Sequence, residues 1–270
     1  MQDKDKPLVT VGMPIYNAGA YLRPAVLSIL NQTYVNWQLL IIDDGSNDNA
    51  LETIADITDE RICIIRDGKN KGLAARLNEA IDLAKGEYFA RMDQDDISYP
   101  ERFERQVEVL NTSPELDLVS VKATLISESG VSVGLLPFAI SHQEICAYPW
   151  RGFYMPHPTW MGRTEWFKRY YYKVPQSYYA DDYELLLRAY RASHFACVPD
   201  VLFQYRVKQK IIWKHQFKAR RSILRVQLRH FYTQSQYWYC FFALNFFLVK
   251  VFCDCTKLVI QHLSSATRPT

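Results

Sequence analysis

The sequence predicts an α/β fold in which helices cover both faces of a mostly parallel β-sheet, with helices appended at the C-terminal end. Short apolar runs alternate with segments of helical periodicity through the first hundred residues. These runs are continuously apolar, which is typical of strands that are buried on both faces. At 270 residues the chain is long enough to bury a substantial core.

The predicted elements follow one another in a regular order. Apolar runs predict strands at residues 9–14, 39–42, 62–65 and 88–92. Helical spacing predicts helices at 21–30, 51–57 and 73–84, and Asp48 is a suitable N-cap for the second of them. A helix at 100–110 and a strand at 116–127 follow, and then a mixed, aromatic-rich region at 131–190. Such sheets bind ligands beyond the carboxyl ends of their strands, so the turns there are where we expect chemistry.

The composition excludes a disordered or fibrous protein, because 49% of the residues are hydrophobic and 23% are charged. The net charge of +3 is unevenly distributed. Residues 207–270 contain eleven Lys and Arg and one acid, Asp254, so the first 206 residues hold the other 21 bases and 28 acids. An acidic body with a basic tail indicates that the two parts face different surroundings.

Two features predict a cytoplasmic protein. The six cysteines are scattered and form no CxxC pair, so we expect free thiols rather than a zinc site or a disulfide framework. Residues 1–7 are polar and lead directly into the first strand, so we expect no secretory signal.

Acidic residues follow two of the predicted strands. Asp43 and Asp44 end the second strand, and Asp93, Asp95 and Asp96 end the fourth. In a parallel sheet the two clusters meet at one edge, where a divalent cation would balance their repulsion. Hard carboxylate oxygens suit Mg²⁺ or Mn²⁺. The alternative is that these acids only close the turns that follow, since Asp-Asp-Gly-Ser is a good turn sequence by itself.

Two common phosphate-binding motifs are absent from the sequence. No GxGxxG follows the first strand, and no GxxxxGK[ST] occurs. A metal ion and side chains would therefore have to hold the phosphates of a nucleotide, in agreement with the acid clusters.

Over roughly residues 7–207 the sequence resembles the family-2 glycosyltransferases of the GT-A fold. The matching segments occur in the family's order: VGMPIYN from residue 11, SILNQTY from 28, IDDGS from 42, NKGLAA from 70, KGEY from 85, ARMDQDD from 90, PER from 100, HPT from 157 and DDYEL from 181. A single segment would be weak evidence, whereas this many in order are specific.

The resemblance implies a GT-A catalytic domain at residues 1–207, with a nucleotide-sugar half at about 7–100 and an acceptor half at about 101–207. A basic, aromatic-rich helical tail follows at 208–270. The implied activity is inverting transfer of a hexose or N-acetylhexosamine from a nucleotide-diphosphate sugar, foremost a UDP-sugar. The implied acceptor is a saccharide or lipid-linked glycan in cell-envelope polysaccharide biosynthesis.

The resemblance also assigns residues to the nucleotide. Pro14, Tyr16 and Asp44 match positions that hold the base, and Asn17 and Asp43 of the same segments are assigned to the same site. A tyrosine ring can stack on a pyrimidine, and a carboxylate can accept the imide proton of uracil.

Four further residues are assigned to the diphosphate and the metal. Asp93 and Asp95 match the DxD motif, in which the later acid binds the metal on the diphosphate, and Asp93 also belongs to the nucleotide-sugar site. The metal acts as a Lewis acid on the departing nucleotide diphosphate. Lys71 and Arg76 are candidate diphosphate partners. A solvated position at the surface, without a ligand contact, is an equally good interpretation of each.

On the acceptor side, Asp182 matches the catalytic base, which removes a proton from the attacking hydroxyl. Local chemistry alone favours helix capping for Asp181 and Asp182, because an apolar helix follows them. Asp181 stands where the family tends to have Glu. His157 matches a His-Pro-Thr near the acceptor, with a purely structural role as the alternative. Lys208 stands where many members have a metal-approaching His, so a third metal ligand is not expected there, although Lys208 could contact the diphosphate.

The tail suits a membrane surface. A basic amphipathic helix is predicted at 211–229, and aromatic residues crowd between 231 and 247. The apolar stretch at 237–248 contains Asn245 and is soon followed by charges, so it is too short for a spanning helix. We expect residues 211–250 to lie on anionic lipid, with a lid packed on the catalytic domain as the alternative. Nucleic acid is not an expected partner, because the acidic body would repel phosphates.

Two other functions fit the fold class. A sugar-nucleotide nucleotidyltransferase would need a Gly-rich, basic triphosphate loop near the first strand, and none is present. A non-catalytic scaffold of the same fold would bind a partner through its tail.

Overall fold

The structure is a computed structural model that describes residues 6–177, 179–207 and 213–266, with side chains described up to residue 256. The strands are β1 (Val9–Ile15), β2 (Trp37–Asp43), β3 (Ile62–Arg66), β4 (Tyr88–Arg91), β5 (Ile97–Ser98), β6 (Leu118–Ile126), β7 (Ser132–Leu135), β8 (Met161–Arg163) and β9 (Phe195–Arg206). The helices are α1 (Leu22–Leu30), α2 (Leu73–Leu83), α3 (Arg102–Thr112), α4 (His142–Cys146), α5 (Thr164–Arg169), α6 (Asp181–Ala189), α7 (Trp213–Thr233) and α8 (Tyr237–Ala266).

The described strands form one sheet in the order β3-β2-β1-β4-β8-β6-β9-β5, and β7 pairs with β6. The first four strands are parallel, which confirms the predicted α/β fold. The strand order reverses at β1, so the carboxyl ends of β1 and β4 form the switch point at which such sheets bind ligands. The second half is mixed, because the short strand β8 lies antiparallel to both β4 and β6.

Both faces of the parallel half are buried. In β2, Leu39 and Ile41 enter one core, and Leu40 and Ile42 enter the other. Successive side chains of a strand point to opposite faces, so the unbroken apolar run in β2 fills both cores.

The predicted helix at residues 51–57 is wrong in type. A 3₁₀ turn at Ala50–Ile54 takes its place, preceded by Asn49, which makes no side-chain cap. The Asp48 carboxylate instead accepts a hydrogen bond from the Gly19 amide at 2.8 Å. Asp48 therefore stabilises the turn after β1, and only a weaker 3.3 Å contact with the Ala50 amide remains for the helical turn.

The C-terminal helices α7 and α8 pack against each other in antiparallel orientation. Phe217 contacts Phe247, with ring centroids 6.2 Å apart, and Phe231 contacts Tyr239 at 5.2 Å. The pair is attached to the body of the protein near the start of α6, since Gln227 donates to the hydroxyl of Tyr183 at 2.7 Å. The appended helices agree with the predicted fold class, and the packing of some of their aromatic rings on the body is the alternative that the sequence left open.

The expectation that the tail contains no segment long enough to span a membrane is wrong. Helix α8 continues without a break through Asn245. Its segment Tyr237–Thr256 is long and apolar enough to cross a membrane, with a mean hydropathy of 1.5. By length and composition alone, this is the one such helix in the described part of the chain. A single Asn and two charges do not interrupt a helix, because its backbone hydrogen bonds are internal.

Candidate functional site

Three adjoining cavities form a cleft at the carboxyl ends of the parallel strands. The first, of about 260 Å³, is lined by Pro14, Tyr16, Asp44, Asp93, Gln94 and Asp95. The central one, of about 530 Å³, shares Leu73 and Asp93 with the first. The outer one, of about 290 Å³, shares His157, Pro158, Asp182 and Tyr205 with the central one. Residues that are far apart in the sequence therefore line one continuous space.

The turn after β1 is fixed by side chains of two neighbouring turns. The Gln94 amide receives a hydrogen bond from the Tyr16 amide at 2.6 Å and donates one to the Tyr16 carbonyl at 3.1 Å. Asn17, in a left-handed conformation with φ of 50°, exchanges hydrogen bonds with Ser46 and Asn47. These bonds leave the Tyr16 ring half exposed at the rim of the first cavity.

Asp44 is buried at the floor of the first cavity. Its Oδ1 accepts hydrogen bonds from the Lys71 amide (2.6 Å) and from Nε of Arg76 (2.9 Å). Among the described residues its Oδ2 accepts only from the Gly72 amide at 3.0 Å, so this oxygen has further acceptor capacity.

Arg76 differs from both of its predicted roles. The side chain is completely buried rather than solvated at the surface. All five of its N–H groups have acceptors, which are Asp44, Asp67, Glu79 and the Lys69 carbonyl. Burial disfavours the guanidinium charge, but these carboxylates outweigh it and raise the pKa of Arg76. A direct contact with a diphosphate is not compatible with this arrangement, because no N–H is left to donate.

Lys71 belongs to the same network. Its ammonium lies 2.6 Å from Asp67 and 3.7 Å from Glu79. The hydrogen bond to Asp67 raises the pKa of Lys71, and the side chain remains 41% exposed. A contact of Lys71 with a ligand stays a prediction.

Asp43 is not among the residues that line the three cavities. Its buried carboxylate accepts a hydrogen bond from the Ser46 amide at 3.0 Å, which closes the turn after β2. This is the turn role left open by the sequence, and a nucleotide contact of Asp43 stays a prediction.

The DxD segment lies at the junction of the first and central cavities. Asp93 pairs with Nη2 of the buried Arg91 at 2.7 Å. Arg206, at the end of β9, holds the loop by donating from Nε to the Asp95 carbonyl at 2.7 Å and from its amide to Asp96 at 2.7 Å. Burial, followed by repulsion from Asp93, raises the pKa of Asp96 well above its usual range.

Asp93 and Asp95 are suitable ligands for a metal that a diphosphate brings with it. Both line the first cavity, and both offer hard carboxylate oxygens. Among the described residues, no group of three or more His, Cys, Asp or Glu forms a metal-binding cluster. A cage made of protein alone is therefore absent from the described part, whereas Mg²⁺ commonly takes one or two carboxylates together with phosphates and water. Lys208, the other candidate of this region, lies outside the described residues.

Asp181 and Asp182 occupy the first two positions of α6. Neither is the N-cap, which is Ala180 without a side-chain cap. Asp181 accepts from the Ser177 amide at 2.7 Å, and burial raises its pKa to about 6. Asp182 accepts from the Tyr183 amide at 2.8 Å, and burial raises its pKa too. Both acids line the central cavity, so stabilising the helix is not their only contact.

His157 is held neutral beside Asp182. Burial, followed by the positive charge of Arg91, places the pKa of His157 well below its usual range. Its Nε2 lies 2.7 Å from the hydroxyl of Tyr172, and its ring contacts Trp160 edge-on at 4.6 Å. The structural role left open by the sequence is therefore present, and His157 also lines the central and outer cavities.

The family model of the glycosyl transferase family 2 matches residues 10–171, which is more than half of the chain. The chain belongs to this family. The protein is thus a glycosyltransferase with a GT-A fold, as the resemblance implied, and the family favours this activity over a nucleotidyltransferase or a scaffold.

Similar proteins carry glycosyltransferase names. An uncharacterized glycosyltransferase of Methanocaldococcus jannaschii is 29% identical over 244 residues, covering 87% of this chain and 81% of that protein. The putative glycosyltransferase EpsE of Bacillus subtilis is 34% identical over 187 residues, covering 67% of this chain and 66% of EpsE.

Two solved structures have the same fold. S. aureus TarS residues 1–349 in complex with UDP superimposes with a TM-score of 0.63 at 19% identity, covering 82% of this chain and 65% of that one. The mannosyltransferase PcManGT of Pyrobaculum calidifontis, in complex with GDP-Man and Mn²⁺, superimposes with a TM-score of 0.63 at 15% identity. The match covers 99% of this chain and 82% of PcManGT.

Sequence interpretation missed the residues that support the site. Gln94, Arg91 and Tyr172 line or brace the cleft, and Asp67 and Glu79 complete the ion-pair network of Arg76. A charged Arg91 at the end of an apolar strand was the one available signal, since a buried charge needs a partner. The sequence around the other four residues does not distinguish them from ordinary surface residues.

Proposed function

We propose that the glycosyltransferase is inverting and metal-dependent, and that it transfers a sugar from a UDP-sugar to a saccharide or lipid-linked glycan of the cell envelope. One observation carries the proposal. Asp93 is shared by the first and central cavities, and Asp182 by the central and outer ones. A donor in the first two cavities and an acceptor in the third would therefore meet beside Asp182.

The first cavity suits a nucleotide base. The half-exposed Tyr16 ring offers a stacking surface, and Oδ2 of Asp44 offers an acceptor for the imide of uracil. The bonds from Gln94 and Arg76 hold both groups in place before a ligand arrives, which reduces the entropy lost on binding. TarS structures that contain UDP and UDP-GlcNAc support a uridine donor, and the GDP-Man complex of PcManGT makes guanosine the alternative base.

Asp93 and Asp95 would hold Mn²⁺ or Mg²⁺ against the diphosphate, and PcManGT in complex with Mn²⁺ supports a divalent metal. When bound, the metal neutralises the charge that grows on the departing diphosphate. Arg91 orients Asp93 through their 2.7 Å ion pair. Arg206 fixes the loop that carries Asp95.

Asp182 would act as the general base. Burial raises its pKa, and a carboxylate with a raised pKa is a stronger base. It would accept the proton of the acceptor hydroxyl as that oxygen attacks the anomeric carbon from the face opposite the diphosphate. A single displacement of this kind inverts the configuration. The neutral His157 can orient the acceptor without competing for the proton.

The tail would place the enzyme on the cytoplasmic face of an anionic membrane. One face of α8 is exposed and apolar, with Trp238 77%, Phe241 57%, Leu248 56% and Phe252 70% exposed. The opposite side is occupied, because Ala243 is buried and Asp254 pairs with Arg220 of α7. A helix fixed on one side and apolar on the other suits an in-plane orientation rather than a spanning one.

Nucleotide release from a panel of UDP- and GDP-sugars with Mn²⁺ tests the activity. One donor should be turned over with a suitable acceptor and hydrolysed slowly without one. Asp182→Asn should abolish transfer while UDP still binds in calorimetry. Loss of both would show that the base is misplaced, and no turnover or nucleotide binding at all would favour a scaffold.

Vesicle co-sedimentation tests the assignment of the membrane-binding face. Replacing Trp238 and Phe252 by Ser should weaken binding to phosphatidylglycerol vesicles at least tenfold, because two fully immersed aromatic side chains are lost. The matched control replaces Val131 and Val133, which are 63% and 56% exposed near the sheet edge, by Ser. Equal binding by both double variants would contradict the assignment of this face.

A further inference from the structure

A second cavity, separate from the cleft, lies between the tail helices and the body. It has a volume of about 250 Å³ and is lined by α7, α8 and the segment at residues 151–154. We call it the tail cavity.

The tail cavity gathers positive charge. The guanidinium of Arg151 and the ammonium of Lys250 lie 5.9 Å and 5.3 Å from the centre of the same ring, Phe246. Among the described residues neither has a carboxylate partner, and Asp254, one turn after Lys250 on α8, pairs with Arg220. Two cations that converge without a counter-ion repel each other, and a bound anion would relieve that repulsion.

The walls between these cations are apolar. Ile223 and Leu224 of α7 face Ala243 and Phe247 of α8 across the cavity. Inorganic phosphate or a free sugar phosphate would leave this surface unused. A molecule with an anionic head and an apolar chain matches both parts.

The position of the tail cavity connects it with the cleft. Tyr154 lines both the tail cavity and the outer cavity that contains Asp182. Gln227 of the tail cavity also donates to the hydroxyl of Tyr183, the residue after Asp182. A ligand bound in the tail cavity would therefore lie beside the outer cavity, which Asp182 also lines.

We propose that the tail cavity binds the phosphate and the first apolar units of a lipid-linked acceptor, with Arg151 and Lys250 as the phosphate ligands. This inference rests on the proposed function, because it specifies the acceptor class of the same cleft. The chemistry recognised is a phosphate ester on an unbranched or prenyl chain.

Calorimetry with farnesyl monophosphate in detergent tests this proposal, using the full chain. Farnesyl monophosphate should bind, whereas farnesol and inorganic phosphate should bind at least tenfold more weakly. Arg151→Ala and Lys250→Ala should each weaken binding about tenfold, because a charge-assisted bond is lost. Arg221→Ala removes an exposed cation of α7 that does not line the cavity, and it should leave the affinity unchanged.

Several results would overturn the proposal. Equal weakening by Arg221→Ala would indicate a general charge effect, and binding only to phosphatidylglycerol vesicles would indicate a bilayer surface rather than a single-lipid site. Failure of the proposed function is measured separately, as absence of UDP binding and of donor hydrolysis by the unaltered protein.

Discussion

Replacing Arg76 by Met should destabilise the fold more than any exposed charge replacement. The guanidinium is completely buried and pairs with Asp44, Asp67 and Glu79. Met fills a similar volume, so the loss is mainly electrostatic. The replacement leaves the Asp44 carboxylate, which is 7% exposed, with hydrogen bonds from backbone amides only. Removing one partner of a buried ion pair costs about 3–5 kcal/mol.

Urea or thermal unfolding measures this loss. At about 2 °C per kcal/mol for a chain of this size, the melting temperature should fall by roughly 6–10 °C. Arg105→Met is the matched control, since Arg105 also pairs with two carboxylates, those of Glu108 and Asp200. All three of those side chains are 46–58% exposed, so the control should lose less than about 1 kcal/mol.

Two outcomes would contradict a stabilising role of the Arg76 network. Equal losses in Arg76→Met and Arg105→Met, both below about 1 kcal/mol, would mean that the buried network does not stabilise the loop at residues 67–72. If Arg76→Met retains full stability but loses UDP binding, Arg76 acts on the ligand site, directly or through Asp44, rather than on the stability of the fold.

Three further predictions follow from the geometry. Gly86→Ala should destabilise the protein by about 1–3 kcal/mol in urea unfolding, because its Cβ would lie 2.4 Å from a backbone carbonyl oxygen that cannot move aside. Asp181→Asn should raise the unfolding free energy at pH 7.5 by about 1–2 kcal/mol, allowing for partial exposure. Its folded pKa of about 6 exceeds the ordinary value of 3.8, so stability is lost as the pH rises from about 4 to about 6 and stays reduced above that, and the difference between the variants should vanish towards pH 4. Gln94→Ala should raise the dissociation constant for UDP about tenfold in calorimetry, because two bonds that fix Tyr16 are lost; Gln38→Ala, which loses one bond at the far end of β2, should not.

The sequence determined the parallel half of the sheet and the positions of its acids. Apolar runs buried on both faces are a local signal, and acids that end such strands must meet at one edge. The order of the matching segments indicated the family, and Asp44, Asp93, Asp95 and Asp182 do line one cleft. Their chemical roles stay predictions.

Only the tertiary structure decided which charges are buried and what braces the site. Arg76 looks like a surface residue in its own helix, and its burial follows from how α2 and the loop at 67–72 pack on Asp44. The paired bonds of Gln94 join turns 78 residues apart, and the tail cavity needs Arg151 and Lys250 to converge on one ring. Sequence patterns report a residue's neighbours along the chain, whereas burial and charge pairing depend on neighbours in space, which long-range packing alone supplies.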